Sequence, residues 1–491
     1  MARKGRTRRL GLEALEPRTL LSGNVTAVVT NGNLVITGDV ENNDIVIDQV
    51  GLGAGEFRID SGVDATTING TAGAKVLAGV TKDVRIIAGN GNDLVTLNDA
   101  SLPRNLIMKG GEGNNRLEGA RVDIATDLIY AGQDDGDETV FSDIAIGRGL
   151  KATLGDGNDG ISDQLFSSGC PVVGPVRIAL GHGTNGLMLS GLSATGPLAK
   201  LVITGGHGVD DITLWGGSSA GPAVLNLKGG DDSFHKEGGG FGRTLRVNMG
   251  DGADDVALIS TTVTTSATLN LGGGANTLVV EELLVDGPCR ILGGTGHDKI
   301  SFERATIQGK TTVTSRAGND ELSATSSVLW GMAVKLGNGD GKVDLADCSV
   351  PGALTVRLGT GRDSFGLDTV DCAGPISVLT GHGVDSIALD DCSLSGPLTV
   401  NTGNGVDTVD IQVSGSVGSE FYQPVTIRTE RGMDEVTIGV AGDPARSALF
   451  HVPMLLDGGP GYDLLDAGIV AGHNNGNGFN GLTTLSFEEL T

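Results

Sequence analysis

Residues 354–407 read LTVRLGTGRDSFGLDTVDCAGPISVLTGHGVDSIALDDCSLSGPLTVNTGNGVD, and this stretch decides the fold. Three glycine-rich turns in it end in an acid: GTGRD at Asp363, GHGVD at Asp385 and GNGVD at Asp407, each 22 residues from the next. The residues two and four after each acid are apolar: Phe365 and Leu367, Ile387 and Leu389, Val409 and Ile411. That alternation predicts a short strand with one face inward. A second alternating strand precedes each turn, as in Leu354-Thr355-Val356-Arg357-Leu358 and Leu398-Thr399-Val400, and Gly374-Pro375 and Gly396-Pro397 mark corners between units. Strand, turn, strand and corner at a fixed period describe one coil of a solenoid, stable only when stacked on its neighbours.

The same slot recurs outward from this stretch, at Asp93, Asn115, Asp137, Asp159, Asn185, Asp210, Asp232, Asp254, Asn276, Asp298, Asp320, Gly341, Asp363, Asp385, Asp407, Asp434 and Asp463. Intervals of 25 to 29 residues before Asn185, Asp210, Asp434 and Asp463 predict loops bulging from one side. The expected fold is all-β: a single elongated parallel β-solenoid (β-helix) of about 22 residues per coil, right-handed because parallel crossovers favour that hand. Residues 1–23 read as a basic leader, 24–90 as an N-terminal cap with the first irregular coils, 91–463 as the regular solenoid and 464–491, with the stretch HNNGNGFNG, as the C-terminal cap. Asp44 is a candidate for an early turn.

Composition agrees. Glycine makes up 82 of 491 residues without a collagen triplet, so it is turn glycine, and aromatics at 3% suit thin coils filled by Val, Ile and Leu. Five cysteines are too few and too odd a number for a disulfide framework. Cys348, Cys372 and Cys392 read as a buried thiol column with one optional disulfide, and Cys289 as core. The net charge of −26 excludes a phosphate backbone as partner, since nucleic-acid binding needs clustered Lys and Arg, and favours cations. No apolar run is long enough for a transmembrane span. Glu13, Glu16 and Arg18 interrupt the apolar stretch a standard signal peptide needs.

The acids stacked along one edge carry the chemistry. Two carboxylates about 4.8 Å apart repel by roughly 0.9 kcal/mol in water and about 3.5 kcal/mol at an effective dielectric near 20. The strain calls for a cation, a proton or splayed side chains. Hard oxygen ligands in a backbone-rich turn suit calcium, so Asp210, Asp232, Asp254, Asp298, Asp320, Asp363, Asp385, Asp407 and Asp463 are candidate calcium ligands. The alternative is that Asp and Asn accept hydrogen bonds from turn amides. His182 and His207 share a turn slot in adjacent coils, and His382 has it further along, but no third ligand of fixed spacing accompanies them. Arg357, Arg362, Asp344 and Asp368 are the raw material for a carbohydrate-active site, without local concentration. Gly-x-Gly matches are solenoid turns rather than nucleotide sites.

Three turns, Gly205 to Asp210, Gly293 to Asp298 and Gly458 to Asp463, carry the full GGxGxD pattern and resemble the calcium-binding nonapeptide of the RTX toxin and protease family. The resemblance implies calcium held between stacked turns. The spacing departs from that family, which repeats its nonapeptide back to back. Near the N-terminus, LEALEPRTLLS over residues 12–22 resembles the LEPR-XLL motif of large, repeat-rich bacterial proteins, with Leu15, Glu16, Pro17, Arg18, Leu20 and Leu21 in its fixed positions. That resemblance implies export to the envelope or the extracellular space and no reaction. The expected function is an exported structural or adhesive surface protein with calcium as a candidate ligand, partnered by cations, surface polymers or other envelope proteins. The alternative is a carbohydrate-active β-helix enzyme, a polysaccharide lyase or hydrolase, with no catalytic residue assigned.

Overall fold

In the computed structural model of the chain, residues 23–63, 66–163, 170–440, 446–467, 482–487 and 489–490 are described. The basic leader with its LEALEPR stretch lies outside them, as does the HNNGNGFNG segment.

Each coil is built as the period requires. Leu354–Gly361 forms one strand of a first sheet, the turn follows, and Ser364–Asp368 and Asp371–Cys372 form two arms of a second sheet joined by a bend. The next coil repeats this in parallel register. Leu354 pairs with Ile376 and then Leu398, Phe365 with Ile387 and then Val409, and Cys372 with Leu394 and then Phe421. Side chains at alternate positions therefore stack in columns, and the inward ones form one continuous apolar core running the length of the solenoid. Its aromatic members are few, among them Phe234, Phe302, Phe365 and Phe421.

Two backbone features make such thin coils stackable. A Cβ on Gly381 would lie 1.8 Å from the carbonyl oxygen of Gly359, and one on Gly403 1.7 Å from that of Gly381, so only glycine permits the contact. The bend between the arms of the second sheet holds a residue in the left-handed region in coil after coil, and ten of these are not glycine: Asp99, Arg121, Asp143, Ser260, Glu282, Arg304, Ser326, Asp347, Thr369 and Asp391, with φ between 46° and 56°. L-residues adopt that region only where the surrounding structure holds them there.

Regularity fails at the start of the chain. Asn24–Thr30 runs antiparallel to Asn33–Thr37, which then pairs in parallel with Val84–Asn90. Asp44–Asp48 pairs in parallel with Leu94–Leu102 and antiparallel with Phe57–Ser61, which pairs antiparallel with Lys75–Leu77. Residues 33–48 are thus the first coil. Its turn slot belongs to Asn43, one residue before the Asp44 that the sequence suggests.

All five cysteines are buried and free. Cys289 pairs in register with Ala267 and Thr311 in the first sheet, as core. The expected thiol column does not form: Cys348 and Cys392 occupy equivalent inward slots two coils apart with Val370 between them, while Cys372 belongs to the other arm of the second sheet. Among the described residues, no helix is long and apolar enough to cross a membrane.

Candidate functional site: a buried carboxylate ladder

The acid that ends each turn is also the first residue of the strand alternation, so its side chain points the same way as the apolar residues two and four places later. It points inward. Asp210, Asp232, Asp254, Asp298, Asp320, Asp363, Asp385, Asp407 and Asp463 are all at most 2% exposed. What the sequence offers as a row of surface carboxylates is a column inside the wall.

The column is hydrogen-bonded from coil to coil. The backbone N–H of one anchor donates to Oδ1 of the next: Asp363 to Asp385 at 2.9 Å, Asp385 to Asp407 at 3.0 Å, Asp407 to Asp434 at 2.9 Å and Asp434 to Asp463 at 3.1 Å. The same link joins Asp210 to Asp232 at 2.8 Å, Asp232 to Asp254 at 2.9 Å, Asp254 to Asn276 at 3.0 Å and Asp298 to Asp320 at 2.9 Å. At the N-terminal end, Asn43 donates to Asp93 at 2.7 Å. Asparagine preserves the ladder because its Oδ1 accepts equally well. Gly341 interrupts it by having no side chain, although its own N–H donates to Asp363 at 2.7 Å. In these links the donor to Oδ1 is the anchor amide of the preceding coil, where an Asx turn would have used an amide of the same turn.

The second carboxylate oxygen meets a different environment according to the residue five places earlier. Glycine there leaves space. A Cβ on Gly132, Gly205 or Gly293 would lie 1.8, 1.8 or 2.2 Å from Oδ2 of Asp137, Asp210 or Asp298, so the carboxylate occupies the missing side chain's place. These oxygens accept the N–H of Gln133, Gly206 and Gly294 at 3.2, 3.3 and 3.2 Å. Where Leu154, Leu227, Met249 or Leu358 takes that position, Oδ2 of Asp159, Asp232, Asp254 or Asp363 is buried without a hydrogen-bond partner, as is Oδ2 of Asp93, Asp320, Asp385, Asp407 and Asp434, five residues after Ala88, Ser315, Thr380, Thr402 and Thr429.

Burial sets the electrostatics. Loss of water pushes the carboxyl groups of Asp159, Asp232 and Asp363 up to about 7, and those of Asp93, Asp137, Asp254, Asp320 and Asp407 up to about 6. The same desolvation raises Asp210, Asp298, Asp385 and Asp434. Ladder hydrogen bonds oppose the rise without cancelling it.

Calcium takes six to eight oxygen ligands. Along the ladder each Oδ1 faces the positive end of an N–H dipole, and at Asp159, Asp232 and Asp363 Oδ2 is buried without a hydrogen-bond partner. At these three anchors the oxygens fit amide hydrogens and protons. Among the described residues, no group of three or more His, Cys, Asp or Glu has the geometry to hold a metal.

The other candidates separate. The rings of His182 and His207 stack with centroids 5.2 Å apart, and the His207 N–H donates to His182 Nδ1 at 2.9 Å. His382 lies elsewhere, its Nδ1 2.9 Å from Asn404 Nδ2. Arg357 belongs to the first sheet, whereas Asp344 and Asp368 belong to the second, so the four charged candidates do not converge. Asp344 and Asp368 do line an open groove of about 580 Å³ with Asp390, Asp391 and the small residues Gly366 and Ala388. Asp391 is spoken for: it accepts backbone N–H groups of Ser416, Val417 and Gly418, which tie the loop over 412–418 down.

One residue escaped the sequence reading. Lys236, 2% exposed, stands in the inward slot that Leu214 and Leu258 fill in adjacent coils. Its Nζ donates to the carbonyls of Gly216, at 2.6 Å, and Gly238, and burial draws its pKa down to about 8. The signal was present, a lysine breaking the alternation of Ser233–Glu237 beside two glycine pairs. No protein family, curated protein or solved structure matches this chain.

Proposed function

We propose that this chain is an exported scaffold of the cell surface, structural or adhesive, whose acids serve to hold its coils together. The observation that carries this reading is the ladder: the most conspicuous motif of the sequence is consumed in coil-to-coil hydrogen bonds, so the repeated chemistry is mechanical. The outer faces carry mainly polar and charged side chains, with Trp215, Trp330, Met188 and Leu379 among the exposed apolar ones. The resemblance of residues 12–22 to the LEPR-XLL motif supports an envelope or extracellular address, and the acidic body supports cations, surface polymers or envelope proteins as the partners it meets. The groove beside Asp344 and Asp368 is the one feature favouring a carbohydrate-directed reading.

Cell fractionation of the full chain, with protease shaving of intact cells, tests the address, and recovery from the cytosol alone rejects it. Incubation with polyuronates and neutral polysaccharides separates the two readings. Cleavage of any of them, abolished in Asp344→Asn or Asp368→Asn, would establish the enzyme in place of the scaffold.

A further inference from the structure

Six coils place leucine five residues before the anchor: Leu154, Leu180, Leu227, Leu271, Leu336 and Leu358. The six anchors beneath them are Asp159, Asn185, Asp232, Asn276, Gly341 and Asp363. Half are uncharged, whereas among the other twelve anchors only Asn43 and Asn115 are. At Gly341 the leucine lies against the slot, since a Cβ there would lie 3.4 Å from Leu336 Cδ1. Leucine in that slot thus goes with an uncharged anchor more often than other residues do, and asparagine is the isostere of a protonated aspartate.

We propose that Asp159, Asp232 and Asp363 are neutral acids in the folded chain, each carrying its proton on Oδ2, and that they make the solenoid a pH-responsive rod, tight when protonated and loosened when ionised. Oδ1 stays an acceptor for the ladder in either state, so the proton costs no hydrogen bond. The buried, unpartnered Oδ2 is where solvent stabilisation is lost on ionisation. The charged groups facing the three sites are acids: Asp137 and Asp156 around Asp159, Asp210, Asp254 and Asp231 around Asp232, and Asp385 and Asp340 around Asp363. Lys228 and His182 act on Asp210, the ladder neighbour of Asp232. Each ionisation raises the cost of the next along a shared column.

The test compares the full chain with the triple variant Asp159→Asn, Asp232→Asn, Asp363→Asn, and with a control in which exposed Asp211, Asp255 and Asp371 become Asn. Melting is followed from pH 5 to pH 8.5. The wild type and the control should lose melting temperature as the pH rises to neutrality, and the triple variant should keep the part of that loss below pH 6 that the other ladder carboxyls contribute, with the slope between pH 6 and 7 gone. A triple variant that melts below the wild type at pH 8.5, or follows the same slope, overturns the proposal. The wild type also supplies a readout independent of any variant: its infrared spectrum at pH 6 should show protonated carboxyl C=O absorption that disappears by pH 8.5. Its absence at pH 6 overturns the proposal equally.

Discussion

The backbone N–H of Asp363 donates to Oδ1 of Asp385 at 2.9 Å, and both groups are buried. Asp385→Ala deletes the acceptor and leaves an amide unpaired inside the wall, at a cost of about 1–3 kcal/mol. Asp385→Asn keeps the acceptor. Denaturant melts at pH 7 should therefore place the Ala variant well below the wild type and the Asn variant at or above it. Equal midpoints for the two variants would show that the ladder contributes no stability.

Gly381 and Gly186 differ sharply in what a side chain would meet. Gly381→Ala puts a Cβ 1.8 Å from the Gly359 carbonyl oxygen and holds an L-residue at φ +111°, so coil stacking should fail there and soluble yield collapse. Gly186→Ala meets nothing within 4 Å and should stay within about 0.5 kcal/mol of the wild type. Circular dichroism and yield of the two variants check the contrast.

The pH optimum should lie on the acid side. Ladder carboxyls have folded pKa values raised from 3.8 to about 6 or 7, so below about 4 both states hold the proton and the contribution is fully present. Between pH 4 and 7 the unfolded chain releases protons that the folded chain retains, and stability falls as pH rises. Asp391 works the other way. Burial would raise it, but the N–H groups of Ser416 and Val417 outweigh this and hold it at about 2, so its contribution is present above pH 4 and lost as pH falls through 2. Melting temperature from pH 2 to 9 should peak near 4 to 5, and a peak at or above neutrality would contradict this ordering.

Calcium should leave the melting temperature unchanged. Any ion bound to the folded state alone raises stability by mass action, so a rise with added calcium that a chelator reverses would reinstate the RTX-like reading of Asp210, Asp298 and Asp463. Scanning calorimetry with calcium and with chelator decides it.

Lys236→Met should be neutral or stabilising below pH 8. Burial draws the amine from 10.5 to about 8, so the charged form is penalised at lower pH and the penalty lifts as pH rises from about 8 to 10.5. Replacing a buried charge by an apolar side chain of similar volume is commonly neutral or favourable. The gain in melting temperature at pH 6 should exceed that at pH 10.

Much of this was legible in the chain. The 22-residue interval and the alternation after each acid give the coil, its two strands and its corner, because periodicity reports which face is buried. The direction of the anchors was legible too: if Phe365 and Leu367 face inward, so does Asp363, two residues before Phe365. Reading them as turn residues hid this, since acid in a glycine-rich turn suggests exposure. The first coil was harder. Its slot is Asn43, and a detour of antiparallel strands over 49–83 separates it from its neighbour, so no local period marks it. The leucine cover over Asp159, Asp232 and Asp363 required the register between strands before five residues of separation meant contact.

The left-handed bend has a consequence for how such a surface diversifies. Asp99, Arg121, Ser260, Glu282 and Thr369 hold the same backbone shape with unrelated side chains. That edge demands geometry alone, so it can be repainted coil by coil while the spine of carboxyls stays untouched, giving one rod many faces.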